Sequence, residues 1–501
     1  MTEILLARDR ASWERSAAAL RIEGRAFING RHVGALSGRS FDDISPIDGR
    51  VISQVARCEA ADVDAAVAGA RATFDSGVWR RIEPRLRKRV LLRFAELIRG
   101  DVERLALLET LDVGKPVHNA INVDVASCAD CIGYYAEFAD KLCDEVAPTG
   151  PNDLALIRRE PLGVIGAIVP WNYPLIISAW KIGPALLAGN SVVLKPAEQS
   201  PLGGIRLAEL ALEAGLPPGV LNVVPGFGEE AGKPLALHPD VDMISFTGST
   251  EVGKLMMRYA GESNLKRVAL ELGGKSPQVV MADADLAEAA AAIAWGIYYN
   301  AGETCHAGSR LIVHEQVRAE LIEGIERVAN TITLGHPFDP ATQMGALIDS
   351  GHLKRVLGYI DSGVAEGARV AFGGKQAMQE TGGYYVEATV LDAVRPEMRV
   401  SREEIFGPVL TVSGFRDDLD ALRVANDTVY GLAAAVWTRD MNAAHRISGA
   451  LRAGTVWINS FDRSSLATPF GGFKQSGFGR DRSAHAIDKY VDLKTIWSAF
   501  R

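Results

Sequence analysis

One stretch of the chain combines the residue types that nucleophilic chemistry needs. It reads Asn300-Ala-Gly-Glu-Thr-Cys-His-Ala-Gly-Ser-Arg310 and follows an Ala-rich helical pattern over Asp285–Tyr299. Gly302 and Gly308 let the backbone fold closely around Cys305, so that a substrate can reach the sulfur. A thiol at a polar turn can ionise and attack carbon, whereas a thiol buried in an apolar helix is inert.

The alternative is that Cys305 is a structural cysteine, one of five in the chain. A lone cysteine is more often a small hydrophobic side chain than a nucleophile. His306 follows directly and would favour a thiolate, but the side chains of sequence neighbours often point apart, so we expect it to be a bystander. The interpretation of Cys305 therefore depends on the rest of the sequence.

Composition indicates a large globular protein in a reducing compartment. The chain has 501 residues, 48% of them hydrophobic and 23% charged, which allows two or three domains with large cores. A net charge of −8 argues against nucleic acid as a main partner. Five cysteines, an odd number, argue against a disulfide framework. Cys128 and Cys131 have the spacing of a redox pair, but the surrounding helical pattern favours two thiols on one helix face.

The sequence predicts neither a secretory signal nor a membrane span. The apolar run at the N-terminus is too short for a signal peptide. Residues 161–180 carry no charge and are long enough to span a bilayer, but Pro170 and Pro174 interrupt them. We expect a strand, a turn and a helix there instead, in a soluble cytoplasmic protein with no membrane partner.

Short apolar runs alternate with helical patterns, which is typical of parallel sheets with crossover helices. In the first unit the predicted strands are Val164–Val169, Ser191–Leu194, Leu221–Val224 and Met243–Phe246, followed by helices over Ile176–Leu187, Leu202–Ala214, Glu229–Leu237 and Glu251–Tyr259. In the second unit the strands lie near Gln278–Met281, Arg310–His314, Val409–Val412, Ala433–Trp437 and Thr455–Asn459. Tyr490–Trp497 is predicted to pair along a sheet edge, in this subunit or another.

The loops after the first strands carry residues suited to a dinucleotide, because ligands of parallel sheets bind at the carboxyl ends of strands. Gly248 and Ser249 open a helix directly after a strand, where free N–H groups favour a phosphate, although Ser249 could be a simple N-cap. The glycines of residues 226–232 are spaced G-x-G-x-x-x-G, a weak signal. A carboxylate at Glu198, near Lys195, can bind ribose hydroxyls and would repel a 2′-phosphate, although solvated loop charges are common.

Six motifs occur in one order and are together highly specific. They are Pro170-Trp-Asn-Tyr-Pro174, Phe246-Thr-Gly-Ser249, Leu270-Glu-Leu-Gly-Gly-Lys275, Gly302-Glu-Thr-Cys305, Glu404-Ile-Phe-Gly-Pro408 and Pro469-Phe-Gly-Gly-Phe-Lys-Gln-Ser-Gly477. With them the chain resembles the NAD(P)-dependent aldehyde dehydrogenase superfamily, from about Ile22 to Trp497. Its last third is most similar to bacterial γ-glutamyl-γ-aminobutyraldehyde and guanidinobutyraldehyde dehydrogenases.

The resemblance implies an α/β fold of the aldehyde dehydrogenase type. A Rossmann-type, parallel-sheet NAD-binding domain would span residues 1–147 and 161–270, an α/β catalytic domain 271–480, and a small β oligomerisation arm 148–160 and 481–501. The arm would cross between the subunits of a dimer or tetramer. NAD is the implied cofactor, with NADP disfavoured. No metal is implied, because the nine histidines are dispersed without ligand spacing.

The resemblance also implies catalytic roles. Cys305 would attack the aldehyde carbon to form a thiohemiacetal, and the Asn172 side-chain amide with the Cys305 N–H would hold the oxyanion. Loss of hydride to the nicotinamide would leave a thioester, and Glu271 would act as general base on the hydrolytic water. Lys181 and Asp481 match positions credited with assisting a proton relay.

Cofactor and substrate contacts are implied in the same way. The cofactor residues are Ile168, Trp171, Lys195, Glu198, Gly228, Gly248, Ser249, Glu404 and Phe406. Glu404 would bind the nicotinamide ribose and Phe406 would lie against the nicotinamide, although Phe406 could be a core aromatic. The substrate tunnel would be lined by Tyr173, Trp180, Trp457, Ser465 and Phe470, with buried core as the alternative for the aromatics.

The substrate is less well defined than the reaction. Ser465 stands where the similar aminoaldehyde enzymes usually carry an acid, and Asp462 would supply that charge only if its loop turned inward. Ala301 replaces a more usual glutamine, and His306 a small or apolar residue. We expect oxidation of broad aliphatic or aromatic aldehydes to acids. The alternatives are an ω-aminoaldehyde dehydrogenase of polyamine catabolism and a thiol esterase; a CoA-acylating enzyme would not need Glu271.

Overall fold

The computed structural model describes residues 2–501, and its first layer is an eight-stranded sheet. The strands at its centre run parallel, as the alternating pattern predicts. Most of their residues are buried on both faces, which is typical of parallel strands covered by helices. In spatial order the strands are Arg31–Val33, Ala26–Ile28, Leu221–Val223, Ser191–Lys195, Val164–Ile168, Met243–Thr247, Arg267–Glu271 and Gly477–Phe478.

The direction in which strands are added to this sheet reverses beside Val164–Ile168. The next two parallel strands of the chain lie on one side of it, and Met243–Thr247 with Arg267–Glu271 lie on the other. The connections therefore diverge and leave a crevice at the carboxyl ends of the two strands where the order reverses. Parallel α/β sheets bind their ligands at such a point.

Helices cover the first sheet, and the predicted ones are present with one change. The expected helix over Glu229–Leu237 begins as a π-helical turn, Gly228–Gly232, and becomes α-helical only over Lys233–Leu237. Pro234 explains the change, because inside the expected helix it has no N–H to donate to the Glu230 carbonyl oxygen and its ring would clash with that carbonyl. The other α-helices of this half are Thr2–Leu6, Arg10–Ala19, Ala60–Ser76, Pro84–Gly100, Val102–Val113, Val117–Asn119, Ala126–Ala136, Pro174–Ala188, Leu202–Glu213 and Thr250–Glu262.

A second sheet, of seven strands, organises the C-terminal half. Its spatial order is Arg369–Phe372, Thr389–Asp392, Val409–Phe415, Arg310–His314, Pro277–Val280, Ala433–Trp437 and Thr455–Ile458. The sequence analysis does not predict the first two strands. The outer one, Arg369–Phe372, is short, half-exposed and antiparallel to its neighbour. The α-helices of this half are Leu286–Tyr298, Arg318–Ala329, Ser350–Ala365, Arg399–Arg402, Asp418–Asn426 and Met441–Ala450.

The last strand of the chain belongs to a separate three-stranded antiparallel sheet. Val491–Ala499 pairs with Asp153–Pro161 along its whole length, and Glu145–Ala147 forms the third strand. The predicted edge pairing is thus made within this chain. Leu493 and Trp497 on this sheet are each 61% exposed. Two small hairpins complete the fold, Ser40–Ile44 with Val51–Ala56 and Gln376–Ala377 with Tyr385–Val386.

Cys128 and Cys131 are fully buried on helix Ala126–Ala136, and burial raises the pKa of both thiols, so the prediction of thiols on a helix is confirmed. Over residues 2–501, no helix has both the length and the apolar character needed to cross a membrane.

Candidate active site

Cys305 lies at a turn between helix Leu286–Tyr298 and strand Arg310–His314, as predicted. Gly302 has a φ of 75°, and a Cβ on it would lie 2.1 Å from the carbonyl oxygen of Gly407, so this close approach requires glycine. The thiol is only partly buried. The backbone therefore holds the sulfur tightly while leaving it open to a small molecule.

Asn172 lies in the loop after the first parallel strand and is 2% exposed. Its Nδ2 donates to the carbonyl oxygen of Glu303 at 2.9 Å, which ties this loop to the turn that carries the thiol. The Lys115 ammonium donates to the backbone carbonyl oxygen of Asn172 at 3.2 Å. It also forms ion pairs with Asp124 at 2.7 Å and Glu109 at 3.4 Å. Sequence reasoning missed Lys115, because no motif marks it and its contact depends on the packing of distant segments.

Glu271 ends the strand Arg267–Glu271 and is 4% exposed. Within residues 2–501, neither of its carboxylate oxygens has a hydrogen-bond partner. Burial raises its pKa well above the ordinary value, the charge of Asp481 adds to this, and Lys181 opposes it. A buried carboxyl group that lacks a partner costs free energy, which makes it a candidate for function.

Lys181 and Asp481 form a fully buried ion pair, with Nζ 2.6 Å from Oδ2. Lys489 also donates to Asp481. Burial alone would raise the pKa of Asp481, but the two ammonium groups outweigh it and lower that pKa. The pair interacts electrostatically with Glu271 and does not lie in the walls of the cavities beside the thiol.

A cavity of about 240 Å³ opens beside Cys305 at the crevice of the first sheet. Ser249 caps the helix Thr250–Glu262, since its hydroxyl accepts the Val252 N–H at 3.2 Å. The same helix end faces the cavity with its remaining free N–H groups. The predicted residues in the cavity wall are Trp171, Asn172, Trp180, Gly248, Ser249, Glu271, Cys305, Glu404, Phe406 and Phe470.

Glu404 and Phe406 lie on the far side of this cavity. Glu404 accepts the Gly274 N–H at 2.9 Å, and a Cβ on Gly274 would lie 2.6 Å from the Cys305 carbonyl oxygen, which accounts for the glycine at this position. Burial raises the pKa of Glu404 to about 7, against the effect of the Gly274 N–H. The Phe406 ring is half-buried and lies edge-on to Trp171, 5.3 Å between centroids, so it lines the cavity and is not a core aromatic.

The other predicted cofactor residues lie along the same sheet edge, outside the wall of that cavity. Ile168 and Lys195 are neighbours in register on adjacent strands. The Lys195 ammonium is 3.0 Å from the Glu198 carboxylate. Gly228 begins the π-helical turn. Because Glu198 is paired with a cation, it repels a 2′-phosphate less than a free carboxylate would.

These residues are suited to a dinucleotide. The helix end at Gly248 and Ser249 favours a pyrophosphate, and the Glu404 carboxylate can accept hydrogen bonds from ribose hydroxyls. Trp171 and Phe406 offer apolar faces to a flat ring.

A second, larger cavity of about 940 Å³ also reaches Cys305. All five residues predicted to line a substrate tunnel are in its wall: Tyr173, Trp180, Trp457, Ser465 and Phe470. Trp457 and Phe470 are nearly buried, at 9% and 5%, but both border the cavity. The Trp457 Nε1–H donates to the carbonyl oxygen of Arg463 at 2.8 Å, so its polar group is satisfied and its ring is available for packing.

Several residues of this cavity were not predicted. His306 lies between the thiol and Asp462, so the expectation that these neighbours point apart is wrong for this pair. Arg482 extends over the rings of Trp180 and Phe470, 5.7 and 5.6 Å from their centroids. Trp295, Tyr299 and Phe461 add further aromatic surface. Trp295 could have been found from its position on the helix that leads to Cys305, whereas no motif marks Arg482.

The chain belongs to the aldehyde dehydrogenase family. The model of the aldehyde dehydrogenase family matches residues 33–496. The protein is accordingly an oxidoreductase that oxidises aldehydes with NAD, and the predicted fold type, reaction class and cofactor are confirmed.

Relatives match over nearly the whole chain. It is 49% identical to the NADP/NAD-dependent aldehyde dehydrogenase PuuC of Escherichia coli K12, over 97% of this chain and 98% of the relative. It is similar to a mutant of the P. syringae AldA indole-3-acetaldehyde dehydrogenase in complex with NAD+ and IAA, with a TM-score of 0.97 and 54% identity over 99% and 100% of the two chains. The γ-glutamyl-γ-aminobutyraldehyde dehydrogenase of Burkholderia cenocepacia J2315 gives 0.97 and 55% over 99% and 100%. The predicted subgroup similarity is confirmed.

Proposed function

We propose that Cys305, Asn172 and Glu271 oxidise the aldehyde in two half-reactions at the wall between the two cavities. One observation carries this proposal: Cys305 borders both the cavity that holds Glu271 and the aromatic cavity open to a substrate. Bound NAD supplies the acceptor for the hydride that leaves the substrate carbon. Residues along the sheet edge and around the smaller cavity would hold it.

In the first half-reaction the Cys305 thiolate attacks the carbonyl carbon and a C–S bond forms. The carbonyl oxygen becomes an oxyanion, which the Asn172 side-chain amide and the Cys305 N–H stabilise; one such donor is worth about 3 kcal/mol. Lys115 positions this amide through its bond to the Asn172 carbonyl. Loss of hydride from the same carbon leaves a thioester.

In the second half-reaction Glu271 takes a proton from water, and the water oxygen attacks the thioester carbon. The C–S bond breaks, its electrons stay on sulfur, and the carboxylic acid is released. Because burial raises the pKa of Glu271, its carboxylate is a stronger base than an ordinary one. We propose that the Lys181–Asp481 pair tunes the charge of Glu271, because the charges of both residues act on its carboxyl group.

For the substrate we propose neutral aliphatic or aromatic aldehydes of medium length, with ω-aminoaldehydes as the second candidate. Asp462 does turn toward the cavity, but its charge is taken up by His306 at 2.7 Å. The Arg482 guanidinium already covers the Trp180 and Phe470 faces that a substrate cation would use. A desolvated ammonium group would therefore lack an anion and meet a cation. The names of the similar proteins cover both candidates, an indole-acetaldehyde and an aminobutyraldehyde derivative.

The substrate proposal predicts that hexanal and benzaldehyde have kcat/KM values at least equal to those of 4-aminobutyraldehyde and its γ-glutamyl and guanidino relatives. A preference of about a hundredfold or more for one of the latter, about 2.7 kcal/mol, would reverse the choice. Ser465→Asp is expected to raise kcat/KM selectively for the cationic aldehydes, because it adds an unpaired anion to the cavity wall. Ser465→Asn is the matched neutral control and is expected to leave the ratio unchanged.

The cofactor prediction concerns Glu198. NAD is expected to be preferred over NADP, but the pairing of Glu198 with Lys195 at 3.0 Å limits the preference. Glu198→Gln is expected to lower the ratio of kcat/KM with NAD to kcat/KM with NADP. The substitution removes the repulsion between the carboxylate and the 2′-phosphate and frees the Lys195 ammonium to bind that phosphate. Glu213→Gln, on the helix that follows this loop, is the control. An unchanged ratio in Glu198→Gln would exclude Glu198 from cofactor selection.

We further propose a cytoplasmic homo-oligomer, a dimer or a tetramer, with the domain division predicted above. The sheet formed by Asp153–Pro161 and Val491–Ala499 supports this, because it presents Leu493 and Trp497 to solvent. A monomeric mass in solution at working concentration would contradict it.

A further inference from the structure

In the wall of the larger cavity, the side chains of Asp462, His306 and Cys305 form a continuous chain of contacts that ends at the sulfur. His306 Nδ1 is 3.8 Å from Cys305 Sγ, within hydrogen-bonding reach of a sulfur atom. His306 Nε2 is 2.7 Å from Asp462 Oδ1. Both imidazole nitrogens are therefore engaged, one by the thiol and the other by a carboxylate from a loop distant in sequence.

The surroundings hold the imidazole in this orientation. Its side chain is 16% exposed, and the rings of Trp457, Phe461 and Phe470 lie 5.6 to 6.4 Å from it between centroids. The Asp462 side chain is 50% exposed at the wall of the cavity, so solvent screens its charge in part. A carboxylate on one nitrogen of a histidine sets the ring orientation and stabilises the imidazolium.

Few other ionisable groups face this imidazole. Arg463 and Arg482 also border this cavity. Burial alone would raise the pKa of Asp462, but His306 and Arg482 outweigh it and lower that pKa. Tyr173 and Tyr299 border the same cavity, and burial raises the pKa of both phenols, so they are neutral at physiological pH. Asp130, at the edge of the cavity, is paired with Arg99 at 2.7 Å. Asp462 and the thiol are therefore the partners that decide the charge of His306.

We propose that His306, oriented by Asp462, takes the proton of Cys305 and holds the sulfur as a thiolate in an ion pair with the imidazolium. The proton leaves Sγ and binds Nδ1, and no other bond changes. When the thioester is later cleaved, the sulfur leaves with the bonding electrons and returns to the same ion pair. This inference rests on the proposed role of Cys305 as the nucleophile.

The charge balance of the pair supports this assignment. Burial alone would lower the pKa of His306, but Asp462 and Cys305 outweigh it and raise that pKa to about 10. The interaction between two sites is reciprocal, so a thiolate that stabilises the imidazolium is stabilised by it to the same extent. The alternative is a purely structural histidine that ties the Asp462 loop to the turn of the thiol.

The test is the pH dependence of Cys305 alkylation by iodoacetamide, because the thiolate reacts and the thiol does not. The chain carries Cys143→Ser to remove the exposed thiol, and mass spectrometry of the tryptic peptide reports Cys305 alone. His306→Gln and Asp462→Asn keep the size and hydrogen-bonding capacity of each side chain but remove the charge. His314→Gln, at the end of a strand outside both cavities, is the matched control.

In His306→Gln the midpoint of the alkylation rate against pH is expected to rise by about one unit or more, with a tenfold or larger loss of rate at the acidic end of the profile. Asp462→Asn is expected to shift the midpoint in the same direction by a smaller amount, and His314→Gln not at all. A midpoint within about 0.3 units of the parent in His306→Gln, in a variant that keeps its thermal midpoint, would overturn the proposal. Failure of Cys305 itself as nucleophile would appear separately, as retained aldehyde oxidation in Cys305→Ala.

Discussion

Cys305→Ala is expected to lose both NADH formation from an aldehyde and hydrolysis of an ester such as 4-nitrophenyl acetate. Both reactions need a sulfur nucleophile in the wall between the two cavities, and among residues 2–501 no other cysteine lines either cavity. The loss in kcat is expected to be about 10³-fold or more, as for other nucleophile deletions. NADH absorbance and 4-nitrophenolate release measure the two activities on the same sample.

Cys143→Ala is the matched control, because Cys143 is exposed and lies outside both cavities. It is expected to retain full activity and the same thermal midpoint. Aldehyde oxidation that survived in Cys305→Ala would contradict the assignment of the nucleophile. Ester hydrolysis that survived alone would instead indicate a second hydrolytic site.

Glu271→Gln is expected to separate the two half-reactions. The amide is close in size to the carboxyl group but cannot take a proton from water, so acylation proceeds and deacylation stops. Rapid mixing is expected to show a burst of about one NADH per active site, followed by a steady state at least about 10²-fold slower than wild type. Undiminished steady-state turnover would contradict the assignment of Glu271 as general base.

The pH dependence provides a second test of Glu271. Its pKa is raised by burial, and only the deprotonated form can act as a base, so wild-type deacylation is expected to rise with pH up to that raised pKa and then level off. The residual steady state of Glu271→Gln is expected to lose this limb. Adding CoA to the wild type is expected to leave the product a free acid, because the enzyme has its own base for water.

The sequence by itself determined the fold class, the reaction class and the central catalytic candidates. The parallel strands consist almost entirely of apolar residues. The ends of Val164–Ile168 and its neighbouring strands are therefore predicted to within one residue. Gly302 beside Cys305 is a local necessity, because its φ of 75° lies in the left-handed region that favours glycine. Features of this kind depend on short segments and can be read from the residue order.

The sequence also narrowed the substrate question without answering it. Ser465 removes the charge that aminoaldehyde enzymes usually carry, which argued for neutral substrates. Whether Asp462 replaces that charge depended on the path of one loop. In the structure the loop turns inward, but His306 neutralises the carboxylate. The outcome follows from a contact between residues 156 positions apart, which no pattern in the sequence encodes.

The tertiary structure alone decided the surroundings of the catalytic residues. It placed Lys115 under the carbonyl of Asn172, extended Arg482 over two aromatic rings, and joined His306 to both Asp462 and the thiol. The physical reason is the same in each case. A buried charge needs a partner, because an unpaired one costs several kcal/mol. That cost is a large part of the net free energy of unfolding of a domain. Such partners are chosen by the meeting of distant segments, so they appear only when the chain is folded.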